Sequence, residues 1–153
     1  MSTRCMVGVD AHLEWVGEPT VSVLGSDHTI TTTVDLDESA TCRVVEEVSL
    51  GRSDELSGRL RLVLRVERGG RPLVHHDETF GPNVAGSGSV VSVGDARDVV
   101  SEVLLGVDAG QSRVTMCEEC GVGWLPVADD VVMMLAVGPN RPAVLAAVAS
   151  IRP

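Results

Sequence analysis

Apolar and polar residues alternate most regularly over residues 58–68, where Leu60, Leu62, Leu64 and Val66 point one way and Arg59, Arg61, Arg65 and Glu67 mostly the other. A period of two predicts a half-buried strand with an Arg-rich outer face. Gly69 and Gly70 follow at once and supply the positive φ angles of a tight two-residue turn, so residues 71–77 are expected to return antiparallel. Upstream, residues 20–24 form a short β-favouring run. Ile30, Thr32, Val34 and Leu36 alternate with Thr31, Thr33 and Asp35 in the next run, after Gly25, Ser26 and Asp27. Beyond a turn at 37–39, Cys42, Val44, Glu46, Val48 and Leu50 share one face of a further strand that stops at Gly51.

Residues 80–89 are rich in Gly, Pro and Ser and read as a loop, followed by a short strand at 90–93 and a helical turn at 95–99. Residues 103–107 and 114–117 are further strand candidates. The continuous apolar run 131–137 has strand length and predicts a strand covered on both faces. The tail changes period: Asn140 can cap, Pro142 suits a first helical turn, and Val144, Leu145 and Val148 fall on one stripe up to Ile151. The expected fold is therefore mainly β: many short, mostly antiparallel strands in a single domain spanning 1–153, with a C-terminal amphipathic helix.

The 153 residues suffice for one domain that buries roughly two thirds of its unfolded surface. Aromatic residues are 2% of the chain, so the core must be aliphatic, and its abundant valine favours pleated surfaces over helix interiors. The net charge of -10 and the absence of lysine leave no basic stripe for phosphates, which argues against nucleic acid and anionic membrane as partners. No apolar run approaches the roughly 18 residues of a membrane span. The first ten residues show no secretory pattern, so a cytoplasmic location is expected. Four cysteines in that compartment are expected as thiols or ligands.

Candidate chemistry is sparse. A phosphate loop ending in Lys is impossible in a chain without Lys, so nucleotide hydrolysis must come from another protein. Cys117 and Cys120 have a spacing that can grip one soft metal, but no second pair follows. His75 and His76 point to opposite faces if they lie on a strand, so only one of them could join a site. His12 and His28 are isolated, and no nucleophile elbow or acid–base carboxylate pair is present. Glu46, among apolar neighbours, would be costly to bury unpaired; Arg52, Arg59 or Arg61 is the expected counter-charge.

Several segments, taken in order, resemble one family. They are Leu13-Glu14-Trp15; Glu18-Pro19-Thr20-Val21; Glu46 with Ser49-Leu50-Gly51-Arg52; Gly58-Arg59-Leu60; Leu64-Arg65-Val66; and Gly70-Arg71-Pro72-Leu73. Together with the strand, Gly138 break and terminal helix they resemble the urease accessory protein UreD, also called UreH, over roughly residues 12–153. The sequence departs at Gly17, where the family usually has Pro, at Val45, and at Leu135-Ala136, which lacks an Arg often seen there. Family members also carry strands before the Glu-Trp motif, where this sequence has only residues 1–11.

The resemblance implies a non-enzymatic, largely β scaffold that binds the urease apoprotein and recruits UreF and the GTPase UreG. The assembly would insert nickel into urease, with the metal in transit through this subunit and no permanently bound cofactor. Transit needs sparse contacts, because a closed four-ligand cage would trap the ion; Glu46, His75, Cys117 and Cys120 are the candidate contacts. Shortened ahead of the motif, the sheet is expected to present an unpaired edge, poorly soluble alone and rescued by UreF or urease. Two other readings stand beside this one: a small β-domain binding metal through Cys117 and Cys120, and an unrecognised hydrolase.

Overall fold

The computed structural model describes residues 1–82, 84, 96–116 and 119–152, which form eleven strands and one helix. The strands are β1 (Ser2–Val7), β2 (His12–Val16), β3 (Thr20–Ser22), β4 (Asp27–Leu36), β5 (Thr41–Leu50) and β6 (Arg59–Arg68). They continue with β7 (Arg71–Phe80), β8 (Asp98–Leu105), β9 (Arg113–Met116), β10 (Gly121–Ala128) and β11 (Val131–Gly138); α1 is Arg141–Ile151. Two sheets face each other. One has the order β1-β4-β6-β7; the other runs β2-β5-β8-β11-β10-β9, with β3 beside β5 on the same edge as β2.

The mainly β architecture with one terminal helix is as the sequence predicts. Five strand pairings are antiparallel and four parallel among the described residues. The parallel share has a simple origin. From β1 to β6 the chain steps back and forth between the two sheets, and each round trip contains two reversals, so a strand returns to its sheet parallel to its predecessor. Alternation within a strand reveals which face is apolar but not which sheet the strand joins: the runs at 20–24 and 30–36 supply β3 and β4, which lie in different sheets.

The Gly69-Gly70 turn does join β6 to an antiparallel β7, with φ of +56° and +74° at the two glycines. Asp98 and Val99 open β8 instead of closing a helical turn, because Val99 packs into the core opposite Val48. The expected strand at 90–93 lies outside the described residues, as does most of the expected loop; Phe80 itself ends β7 as a buried core residue. β11 is covered on both faces as its unbroken apolar run requires: Val131 and Met133 face the opposite sheet, and Val132, Met134 and Ala136 lie beneath α1. Asn140 Oδ1 accepts a 3.0 Å hydrogen bond from the Ala143 amide and starts that helix, while Val144, Val148 and Ile151 bury its inner face. No described helix is long and apolar enough to cross a membrane.

Between the sheets the core is not continuous. One apolar cluster gathers Val34, Leu36, Val44, Leu64, Val66, Val103 and Leu105; a second gathers Val48, Leu50, Leu60, Leu62, Phe80 and Val99. The polar side chains described next share these interior faces.

Candidate functional site

Strand registers line up a row of polar residues across the sandwich. In the four-stranded sheet Thr3 pairs with Thr32, Thr32 with Leu64 and Leu64 with His76. In the facing sheet Glu46 pairs with Ser101. Thr32, Glu46 and Ser101 are buried, and His76 shares the inward parity of Val74 and Phe80 on β7. The two rows are joined by a 2.7 Å hydrogen bond from Thr32 Oγ1 to Glu46 Oε1.

Glu46 is 8% exposed and its second oxygen, Oε2, has no hydrogen-bond partner among the described residues. Burial pushes its carboxyl above the ordinary value; the Thr32 hydroxyl and the nearby His76 imidazole pull the other way without cancelling that effect. The buried Ser101 Oγ and His76 Nδ1 are also unpartnered among the described residues. His76 Nε2 lies 3.3 Å from Glu78 Oε2 on the same strand. Three buried polar atoms without a protein partner among the described residues, Glu46 Oε2, Ser101 Oγ and His76 Nδ1, thus lie on the facing interior strands.

The polar row is reached from outside. A cavity of about 270 Å³ is lined by Thr32, Glu46, Ile30 and Leu62 within, and by Met1, Thr3, Trp15, Glu18 and Thr20 at its rim. Its position follows from a break in the edge strand. β2 ends at Val16 beside Val45 and β3 starts at Thr20 beside Val48, so Gly17-Glu18-Pro19 leaves the ladder beside Glu46. Pro19 cannot donate to a ladder, and the Gly17 amide is held by the Val45 carbonyl at 3.1 Å.

No arginine neutralises Glu46, contrary to the sequence expectation. Arg59 pairs with Asp27 and Arg61 with Asp77 on the outer face of β6, and Arg52 is exposed in the loop after β5. Odd-numbered arginines on β6 cannot turn inward without reversing the whole strand. The other candidate contacts are scattered. His75 is exposed on the outer face of β7, across the sheet from Glu46. Cys120 is buried against Gly138 and the α1 side of β10, and Cys117 lies outside the described residues. Among the described residues no three His, Cys, Asp or Glu side chains gather into a metal cage. Cys42 sits deep in the core, where burial raises its thiol to about 11 and leaves it protonated and inert.

A second buried carboxylate, Glu102 on β8, was not singled out from sequence. It is 1% exposed and held by Arg152 Nη2 at 2.7 and 2.6 Å and by Arg43 Nε at 2.7 Å; Arg43 in turn reaches Glu14 at 2.6 Å. Its partners lie 59 and 50 residues away in the chain, beyond any local pattern. This network ties the end of α1 to the sheet and, fully paired, is structural.

Residues 1–152 match the family model described as UreD urease accessory protein. The chain is 33% identical over 145 residues to "Urease accessory protein UreD" of Frankia casuarinae, covering 84% of this chain and 45% of that protein. It is 31% identical over 157 residues to the protein of the same name from Parafrankia sp., covering 90% and 53%. The Streptomyces coelicolor protein of that name is 32% identical over 142 residues, covering 90% and 55%. The chain thus spans about half the length of these curated relatives. A family match over nearly every residue, with relatives 31–33% identical over most of the chain, places this chain in the UreD family of urease accessory proteins.

Proposed function

We propose that this chain serves urease maturation as a non-catalytic scaffold, bridging the urease apoprotein to UreF and UreG and passing nickel through its interior. One observation carries the metal-passing part: buried Glu46, whose Oε2 has no partner among the described residues, lines a cavity beside the break in the edge strand. A carboxylate in that position can take a divalent cation from water and, with no cage around it, can release it again. Thr32 donates to Oε1 and leaves Oε2 without a partner among the described residues. The hydrolysis of GTP falls to UreG in this reading, since the chain has no lysine with which to build a phosphate loop.

The bridging part is tested by co-expressing the chain with urease, UreF and UreG, isolating complexes through a tag on urease, and measuring urease activation with and without the chain. The expected result is a complex containing the chain and activation that depends on it. Absence from every complex, with activation unchanged, would overturn the proposal.

A further inference from the structure

We propose that the loop after β5, the residue ahead of β8 and the first turn of α1 form a docking cavity for a carboxylate-bearing segment of a partner protein. This docking goes beyond the reading above and shares with it only the premise that the chain works by binding proteins. Arg52, an expected counter-charge of Glu46, instead lies exposed in the loop after β5. Most of the chain's arginines hold a carboxylate. Of those that hold none among the described residues, Arg113 lies over the Trp124 ring and Arg65 is on the outer face of β6, while Arg52 and Arg97 line one cavity. In a chain with 22 acidic residues, two guanidiniums left without a carboxylate in the same cavity are free to take one from elsewhere.

The cavity, of about 490 Å³, is lined by Ser49, Arg52, Ser53, Arg97, Asn140 and Arg141, with Asp54 and Asp98 beside them. Arg97 is fixed in place before anything binds. Its Nη2 donates to the carbonyl of Arg52 and, at 2.9 Å, to that of Glu55; its amide donates to the Gly138 carbonyl at 2.8 Å. Among the described residues only Nη2 is engaged, so the donors on Nε and Nη1 are uncommitted. The acidic lining does not quench them. Asp98 Oδ1 accepts from Ser49 Oγ at 2.5 Å, Asp54 forms no ion pair among the described residues, and Glu47 holds Arg141 at 2.5 Å. A locked, planar guanidinium with a second one in the same cavity suits bidentate binding of an oxyanion. Asp54 and Asp98 decide which: they repel a phosphate, with its charge near -2, about twice as strongly as a single carboxylate. The volume is many times the roughly 30 Å³ share of one water, and Ser53, Asp54 and Asn140 are exposed, so a side chain can enter on a protein surface.

The test uses the whole chain, isotopically labelled, titrated under NMR observation at about 0.15 M salt, where repulsion by the chain's net negative charge is screened beyond roughly 8 Å. The probes are acetyl-tetraglutamate amide, its glutamine analogue and inorganic phosphate. The glutamate peptide should shift the amides of 51–54 and 139–141 and the Nε–H of Arg97, and the glutamine peptide should not. Arg52→Gln should weaken binding of the glutamate peptide roughly fivefold or more, and Arg97→Lys, which keeps the charge and loses the fork, should weaken it too. Arg65→Gln removes another arginine without an ion pair, from the outer face of β6, and should leave binding unchanged. Because Arg52 is exposed, its variant keeps the test valid if Arg97→Lys loosens the loop. Absent shifts, shifts centred elsewhere, equal losses in Arg52→Gln and Arg65→Gln, or phosphate binding as tightly as the glutamate peptide would overturn the inference. Since the probe is a peptide and the chain is alone, the result can fail while the urease complex forms, and hold while it does not.

Discussion

Thr32 on β4 donates its hydroxyl to Glu46 on β5 across the interior of the sandwich, at 2.7 Å, and among the described residues this is the one direct hydrogen bond that the buried carboxylate receives. Thr32→Val keeps the shape and removes the donor. The buried carboxyl is then left with both oxygens unsatisfied, so the variant should lose about 1–3 kcal/mol of stability, measured by denaturant unfolding at neutral pH.

Glu46 also sets a pH signature. Its folded value is raised above the ordinary 4.5, so the native state holds this proton more tightly than the unfolded chain. Its contribution is therefore most favourable below 4.5 and is lost as pH rises through the folded value. Asp77 and Asp130, whose arginine partners lower them, act with the opposite sign. The difference between wild type and Glu46→Gln isolates the first effect. Stability of Glu46→Gln relative to wild type should grow as pH rises above 4.5 and level off once the folded carboxyl is ionised, in melting curves across pH 4–8.

Glu102 makes the contrasting case of a buried carboxylate that is fully paired. Arg43→Met leaves it with Arg152 alone and should cost about 2–3 kcal/mol. By comparison Arg71, a mostly exposed residue 3.3 Å from Glu38, should be replaceable by Met with little change in the same unfolding assay.

The edges beside the cavity mouth carry exposed apolar side chains: Met6 on β1, Val16 on β2 and Val21 on β3. Unpaired edges of this kind template association. Replacing Met6 and Val16 by Lys should lower concentration-dependent self-association in sedimentation velocity without shifting the melting temperature by more than a few degrees.

Alternation and turn chemistry made β4 to β7, β11 and α1 legible in the sequence, because each carries its whole signal locally: Leu60 to Val66 in steps of two, the paired glycines, the Asn140 cap. β1 and β2 were missed as strands, since their half-exposed mixture of residues gives no clean period and their parallel neighbours lie far along the chain. β10 was missed for a different reason: Gly121, Gly123 and Pro126 read as breakers although β9 and β11 hold them in a ladder. At the site, Glu46 stood out as a charge in an apolar row. His76 could have been preferred to His75 by carrying the parity of Val74 forward, whereas Thr32 and Ser101 gain meaning only from the register that places them beside Glu46.

The most direct measurement is the nickel content of urease matured in cells that supply UreF, UreG and either this chain or its Glu46→Leu form, each shown to fold and to co-purify. Wild type should load the urease active site, and Glu46→Leu should lower its nickel at least tenfold, with Thr29→Ala on the exposed outer face as the unaffected control. Equal nickel in urease matured by the Glu46→Leu chain would contradict the account.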